Sequence, residues 1–174
     1  GQMPALITAH RATDIMAVLR LAREFPDMDV VLSGASEAFL VLDDIKASGV
    51  PVVLHPTMYR AGGETESIAF DTAALLREAG IPFAIQSGYE AYVPKTRVVL
   101  FEAAVASAYG LAREHALAAV TIDAARILGI DDRVGSIEPG KDADLVLFDG
   151  DPLETITHVC TVVVDGRVAR EECF

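Results

Sequence analysis

Short apolar runs alternate with segments of helical periodicity along the first half of the chain. Four runs are predicted to be buried strands, at residues 5–9, 29–33, 50–54 and 82–86. Each run is apolar on both faces, which is typical of parallel strands covered by helices. The pattern therefore predicts an α/β fold built from four consecutive strand–helix units.

Local signals predict where several helices begin and end. Ser36 is predicted to cap the second helix and Gly49 to end it, while Asp71 opens the third. Asp123 is predicted to cap the last helix, which closes at Gly129. Between these, residues 96–109 and 113–120 have the composition of two further helices.

The end of the chain has a different pattern. Residues 143–148 alternate in a short run bounded by a turn, and residues 161–164 and 167–169 flank the dipeptide Asp165-Gly166. Asp-Gly between β-forming residues is a strong hairpin signal. We therefore expect two units, an α/β part over residues 1–130 and a small β unit over residues 131–174.

Composition excludes some partners. The net charge of −12 argues against nucleic acid and anionic membranes as partners. No apolar run approaches the roughly 20 residues of a membrane span. The first residues lack the charged and apolar regions of a signal peptide, so a cytoplasmic protein is expected. In that compartment Cys160 and Cys173 are expected to be reduced thiols.

Two stretches near the end of the chain carry a resemblance to a known family. The run VGSIEPGKDADLVLFDGDPL at residues 134–153, followed by VVVDGRVA at residues 162–169, resembles the C-terminal signature of the amidohydrolase superfamily. It is most similar to the imidazolonepropionase-like branch, whose members end a metal-dependent (β/α)8 barrel in this way. The resemblance implies that the chain holds strands five to eight of a TIM-type barrel. The end of the chain would then belong to the family's composite β-sandwich.

The resemblance also implies where a metal site would lie. Thr8-Ala9-His10-Arg11 is similar to the family strand that carries a zinc or iron ligand and usually reads His-Ala-His-Arg. His10 keeps the second histidine and is the candidate ligand, Thr8 replaces the first, and the resemblance leaves open which of the two positions the metal uses. Ser33 stands where the next histidine ligand would be, and a serine hydroxyl is a poor zinc ligand. Gly88 stands where the family has a proton-transferring aspartate. Glu90 could take that role only if its loop bulged inwards.

Three more residues are candidates for contact with a substrate. His55 follows the third strand, where the family has no metal ligand but where the next loop often touches substrate. Tyr59 and Arg60 lie in that polar, glycine-rich loop. The alternative interpretation is a histidine satisfied by backbone groups, followed by a plain surface loop.

Function follows only from the resemblance. It implies a hydrolase acting on carbon–nitrogen bonds of non-peptide or cyclic amides, with the metal site largely lost and the chain alone expected to be inactive. The alternative is a non-catalytic truncated scaffold or a small-ligand-binding descendant. Half a barrel has two open strand edges, and open edges pair with other strands. We therefore expect a homodimer, or another chain that supplies the missing N-terminal half.

Overall fold

A four-stranded parallel sheet forms the centre of the chain. The computed structural model describes residues 3–90, 93–94 and 96–173, without the side chains of residues 89, 90, 93, 94 and 96. The sheet strands are β1 (Ala5–Ala9), β2 (Val30–Gly34), β3 (Val52–Leu54) and β4 (Phe83–Ile85). They pair in sequence order, and every pair is parallel. The predicted parallel α/β arrangement is confirmed.

Helices follow each strand and cover one face of the sheet. They are α1 (Ala12–Glu24), α2 (Leu42–Ser48), α3 (Thr72–Ala79), α4 (Val99–Ala108), α5 (Arg113–Ala119) and α6 (Ile122–Leu128). Short 3-10 turns precede three of them, at Ala38–Leu40, Gly63–Thr65 and Thr96–Val98. A two-stranded hairpin, β5 (Tyr89–Glu90) and β6 (Val93–Pro94), follows β4. Among the helices of the described residues, none has the length and apolarity needed to cross a bilayer.

The two faces of the sheet have different surroundings. Alternate strand residues, including Leu32, Val52 and Ile85, pack in the hydrophobic core with the helices. The register places Ser33 and Val53 side by side on the opposite face. The candidate site residues come directly after the strands, at the carboxyl end of this sheet.

The C-terminal unit is an antiparallel sheet of three strands. These are β7 (Leu145–Phe148), β8 (Val159–Val164) and β9 (Arg167–Arg170). Asp165 and Gly166 have φ angles of 51° and 72°, as a tight hairpin turn requires, so the predicted hairpin is confirmed. The connection between β7 and β8 packs against the helices, since Leu153 is buried in their core.

Two predicted helix caps are wrong. The second helix begins at Leu42, and Ser36 makes a hydrogen bond to another strand–helix unit. Asp123 lies in the first turn of α6, whose N-cap is Thr121. Ser36 lies five residues before the N-cap Val41, with a 3-10 turn in between, whereas Asp123 lies two residues after the N-cap Thr121.

The predicted reduced cysteines are also wrong, because Cys160 and Cys173 form a disulfide. Their Cα atoms are 3.8 Å apart across 13 residues of sequence. The β8–β9 hairpin turns the chain back on itself, so the segment after β9 returns to the start of β8. Sequence spacing alone does not reveal that approach.

Candidate functional site

The carboxyl ends of the four strands lie level with one another. The register aligns Ala9 with Gly34, Gly34 with Leu54, and Leu54 with Ile85. The residues that follow these positions therefore share one rim of the sheet. Parallel α/β proteins place functional side chains at this rim.

His10 lies half-buried at the end of β1. Its Nδ1 is 2.7 Å from the hydroxyl of Ser36. Its ring lies over Gly34, where a β-carbon would come within 2.7 Å of the His10 Cε1 atom. Burial lowers the pKa of His10, and the carboxylate of Glu64 opposes that shift. The result is an imidazole whose position depends on the absence of a side chain at residue 34.

His55 is almost fully buried at the end of β3, with 1% of its surface exposed. Its Nδ1 is 2.8 Å from the carbonyl oxygen of Pro56. A carbonyl can only accept a hydrogen bond, so Nδ1 carries the proton and Nε2 carries a lone pair. Burial lowers the pKa of His55, the bond to Pro56 opposes the shift, and the charge of His10 adds to it. Nε2 is buried and has no partner among the described residues.

An amide bridges the other strands at this rim. The Nε2 of Gln86 lies 3.4 Å from the Ser33 hydroxyl and 3.3 Å from the Val53 carbonyl oxygen. Ser33, which stands at the expected ligand position on β2, is buried. Its hydroxyl therefore takes part in a contact between strands.

Gly88 is packed against the segment that follows β3. Its φ is +69°, and a β-carbon there would lie 2.5 Å from Cγ of Pro56. The space in which a carboxylate side chain would begin is therefore already filled by the proline ring.

Glu102 on α4 is a buried acidic residue that the sequence patterns did not single out. One of its carboxylate oxygens lies 2.6 Å from the Thr57 hydroxyl and 2.8 Å from the backbone nitrogen of Met58. Glu102 thus fixes the start of the loop that carries Tyr59 and Arg60. Its position as the single charge in the apolar segment of residues 98–111 was the available signal.

The other predicted candidates lie in the loop after β3 and in β5. Tyr59 and Arg60 are both exposed on the surface of their loop. Glu90 belongs to β5, but its side chain lies outside the described part of the structure. Among the predicted residues, the structure thus brings His10, Ser33 and His55 to the same rim.

Two residues at this rim, His10 and His55, carry side chains that commonly bind metal ions. A catalytic zinc site ordinarily has three protein ligands. Within the described ranges, no three His, Cys, Asp or Glu residues lie together in a way that could hold a metal ion. Two imidazoles are present, while Ser33 is a poor donor and Gly88 has no side chain.

Comparisons with known proteins point to one family. A model of the amidohydrolase family matches residues 70–169. The imidazolonepropionase of Cupriavidus necator is 34% identical over 132 residues, which is 72% of this chain and 31% of that protein. A crystal structure of an amidohydrolase from Thermotoga maritima superposes with a TM-score of 0.90 and 34% identity.

The Thermotoga match covers 98% of this chain and 44% of that one. An adenosine deaminase from Xanthomonas campestris, solved with bound zinc, has the same fold at a TM-score of 0.69 and 22% identity, over 98% of this chain and 46% of that one. This chain thus spans less than half the length of the proteins it matches here.

Proposed function

Since this chain belongs to the amidohydrolase family, we propose that its site derives from hydrolases of carbon–nitrogen bonds and now binds a small molecule without metal-dependent hydrolysis. The imidazolonepropionase similarity supports the carbon–nitrogen substrate class. We propose the same carbon–nitrogen substrate class for the whole protein. The four-stranded sheet would be strands five to eight of a TIM-type barrel.

The observation that carries the loss of hydrolysis is the contact between Gly88 and Pro56. Hydrolysis by a metal-bound water needs a base that receives its proton. Gly88 stands where the family base is expected, and a β-carbon there would be 2.5 Å from the Pro56 ring. A simple replacement of Gly88 by an acid would therefore not restore the base, because the Pro56 ring occupies the space that its side chain needs.

His10 and His55 are the residues that would meet a ligand. Burial lowers the pKa of both, so both imidazoles are neutral at pH 7. The unpartnered Nε2 of His55 is buried, so it would accept a hydrogen bond from an N–H group of a small amide once the residues that cover it move aside on binding. Zinc, where family members hold it, polarises a carbonyl and acidifies water. In this chain, without zinc, the imidazoles of His10 and His55 would orient the ligand.

Elemental analysis of the purified chain tests this proposal. We expect zinc, iron and manganese contents well below one ion per chain after expression in metal-supplemented medium. A stoichiometric, dialysis-resistant zinc content that falls in both His10→Ala and His55→Ala would overturn it. The variant His115→Ala serves as the control, since His115 lies on α5, away from the strand ends.

Binding is tested separately with small cyclic amides such as hydantoin and dihydrouracil. Chemical-shift changes in the His55 ring on titration, with no hydrolysis product, are the expected result. Release of the ring-opened product by the unmodified chain, lost in His10→Ala, would instead favour an active hydrolase whose metal site is completed by another polypeptide.

The domain division and the location are part of the same proposal. Residues 1–130 would form the barrel part, and residues 131–174 would form the C-terminal part of the family's composite sandwich. The Cys160–Cys173 disulfide is of a kind that reducing compartments rarely keep, so a cytoplasmic location requires that alkylation in freshly lysed cells traps both residues as thiols. An intact disulfide in such cells would argue against it.

A further inference from the structure

The most buried side chain of the rim presents a hydrogen-bond acceptor. His55 uses its Nδ1 proton on the carbonyl oxygen of Pro56, 2.8 Å away, so its Nε2 can only accept. That atom is buried and has no partner among the described residues. A buried polar atom without a partner is destabilising, so a ligand that brings a proton donor to Nε2 gains free energy.

Gln86, directly after β4, provides a second acceptor. Its Nε2 lies 3.3 Å from the Val53 carbonyl oxygen and 3.4 Å from the Ser33 hydroxyl. Because a carbonyl oxygen can only accept, the end of the amide that faces Val53 must be the nitrogen. The donor end of Gln86 is thus turned towards the sheet, which leaves its carbonyl oxygen for a ligand.

Glu64 adds a negative charge to the same rim. It lies in the 3-10 turn Gly63–Thr65, and its exposed carboxylate is close enough to His10 for the two groups to interact electrostatically. Burial lowers the pKa of His10, so its imidazole is neutral at pH 7 and does not balance this charge. The turn itself is fixed, because Thr65 is buried and its hydroxyl donates to the Gly62 carbonyl oxygen at 2.9 Å.

The carboxylate of Glu64 forms no ion pair with any residue that the structure describes. Arg11, next to His10, interacts instead with Glu37, whose carboxylate also accepts from the Ala12 amide at 2.8 Å. The net charge of −12 adds a long-range attraction for small cations. A positively charged ligand would therefore meet a carboxylate that no side chain of the described rim neutralises.

We propose that this rim binds small cyclic guanidines and amidines in preference to neutral cyclic amides. Such a cation carries several N–H donors side by side, which match the acceptors of His55 and Gln86, and its charge would lie beside Glu64. This inference rests on the proposed function, since it names the ligand class of the same site.

The same groups would reject a neutral ligand of equal shape. A cyclic urea has a carbonyl oxygen where a cyclic guanidine has an NH2 group, and that oxygen can only accept. Placed at this rim, it would face an acceptor or the Glu64 carboxylate without a proton between them. Sites built to pair a donor discriminate strongly against analogues that lack it.

Two probes of the same size test the proposal. Ethyleneguanidine is a cation at pH 7, and ethyleneurea is its neutral counterpart. Titrations followed by the NMR signals of the His55 ring should give a dissociation constant at least about fivefold lower for ethyleneguanidine, as expected for one exposed charge pair. Added salt should reduce this preference, because it screens the exposed carboxylate.

Glu64→Gln removes the charge from an exposed side chain and should leave the fold intact. The two dissociation constants should then differ by less than about twofold, while that of ethyleneurea stays the same. Glu66→Gln is the matched control, since Glu66 is an exposed glutamate two residues further along the same loop. This control variant should keep the preference for the cation.

The possible results separate this inference from the proposed function. Equal binding of the two probes, or a preference for ethyleneguanidine that survives Glu64→Gln, would overturn the cationic ligand class and leave the small-molecule site standing. Tighter binding of ethyleneurea would do the same. Binding of neither probe would overturn the small-molecule site and this inference together.

Discussion

Pro56 and Gly88 lie in direct contact across the rim of the sheet, so close that a β-carbon on Gly88 would be 2.5 Å from the proline Cγ. Real side chains do not approach this closely, and a proline ring cannot turn aside as a flexible side chain can. The segments after β3 and β4 are therefore packed together so closely that no side chain fits at position 88 without a shift.

Gly88→Ala should consequently lower the free energy of unfolding by more than the positive φ of residue 88 alone would cause. Gly49 is the matched control, because its φ of +71° is nearly the same but a β-carbon there meets nothing within 4 Å. Gly49→Ala should cost about 1 kcal/mol for the left-handed conformation. Gly88→Ala should add about 1–3 kcal/mol for overpacking, measured by urea denaturation.

A compensating substitution sharpens this comparison. Pro56→Ala removes the ring that a β-carbon at residue 88 would strike, so the double variant should regain most of the added loss. Equal destabilisation by Gly49→Ala and Gly88→Ala would show that the contact with Pro56 does not restrict residue 88.

Glu102 should be the acidic residue whose loss most disturbs the loop after β3. Glu102→Ala removes the acceptor of the Met58 amide and one of the two acceptors of the Thr57 hydroxyl, which keeps the Glu102 backbone carbonyl at 2.8 Å. A buried donor left without a partner costs about 1–3 kcal/mol, so we expect a loss of stability in that range. Amide exchange at Met58 should also become faster.

Two variants complete the Glu102 experiment. Glu102→Gln keeps an oxygen acceptor and should lose less stability than Glu102→Ala. Glu114→Ala, on the exposed side of α5, should change stability by less than about 0.5 kcal/mol. Similar values for Glu102→Ala and Glu114→Ala would contradict the anchoring role.

Elements set by local chemistry could be predicted from the sequence. Gly49 and Gly129 end helices in the left-handed conformation, as helix C-termini favour. Asp165 and Gly166 form the hairpin turn that their residue types demand. In each case the signal lies within a few residues of the element, so no knowledge of distant contacts was needed.

Features that depend on distant contacts could not be predicted in this way. Ser36 binds His10 across 26 residues of sequence and so does not cap its own helix. Cys160 meets Cys173 only because β8 and β9 return the chain. The filled space at Gly88 depends on Pro56, 32 positions away. Contacts of this kind determine what the site can do.

The Cys160–Cys173 disulfide should stabilise the C-terminal sheet. In the chain-entropy model, closing a loop of this size contributes at most about 3 kcal/mol. Dithiothreitol should therefore lower the unfolding midpoint of the unmodified protein. The double variant Cys160→Ser/Cys173→Ser should show the lower midpoint with or without the reductant. An unmodified protein that reacts with two equivalents of a thiol reagent under oxidising conditions would contradict the bond.

Stability should fall as the pH is lowered below neutrality, because His55 and His10 are held neutral in the folded state. Burial lowers the folded pKa of both below the ordinary histidine value of 6.5. The unfolded chain then binds more protons than the folded one, so stability is fully present above pH 6.5 and is lost as the pH falls towards the folded pKa values. For one histidine the slope cannot exceed about 1.4 kcal/mol per pH unit.

Urea denaturation between pH 7.5 and pH 5 measures this dependence above the range in which most carboxylates titrate. His55→Gln should make stability depend less steeply on pH. The His55 imidazole is nearly fully buried, so charging it costs more desolvation free energy than charging the half-buried His10. Histidine ring NMR provides the direct check, since the His55 ring should stay neutral, with its proton on Nδ1, at a pH where an exposed histidine is charged. The Pro56 carbonyl can only accept a hydrogen bond, so the Nδ1 of His55 should carry the proton. A His55 ring with its proton on Nε2 would contradict this tautomer and would leave Nε2 without a lone pair for a ligand. An unchanged slope in His55→Gln would show that another group supplies the pH dependence.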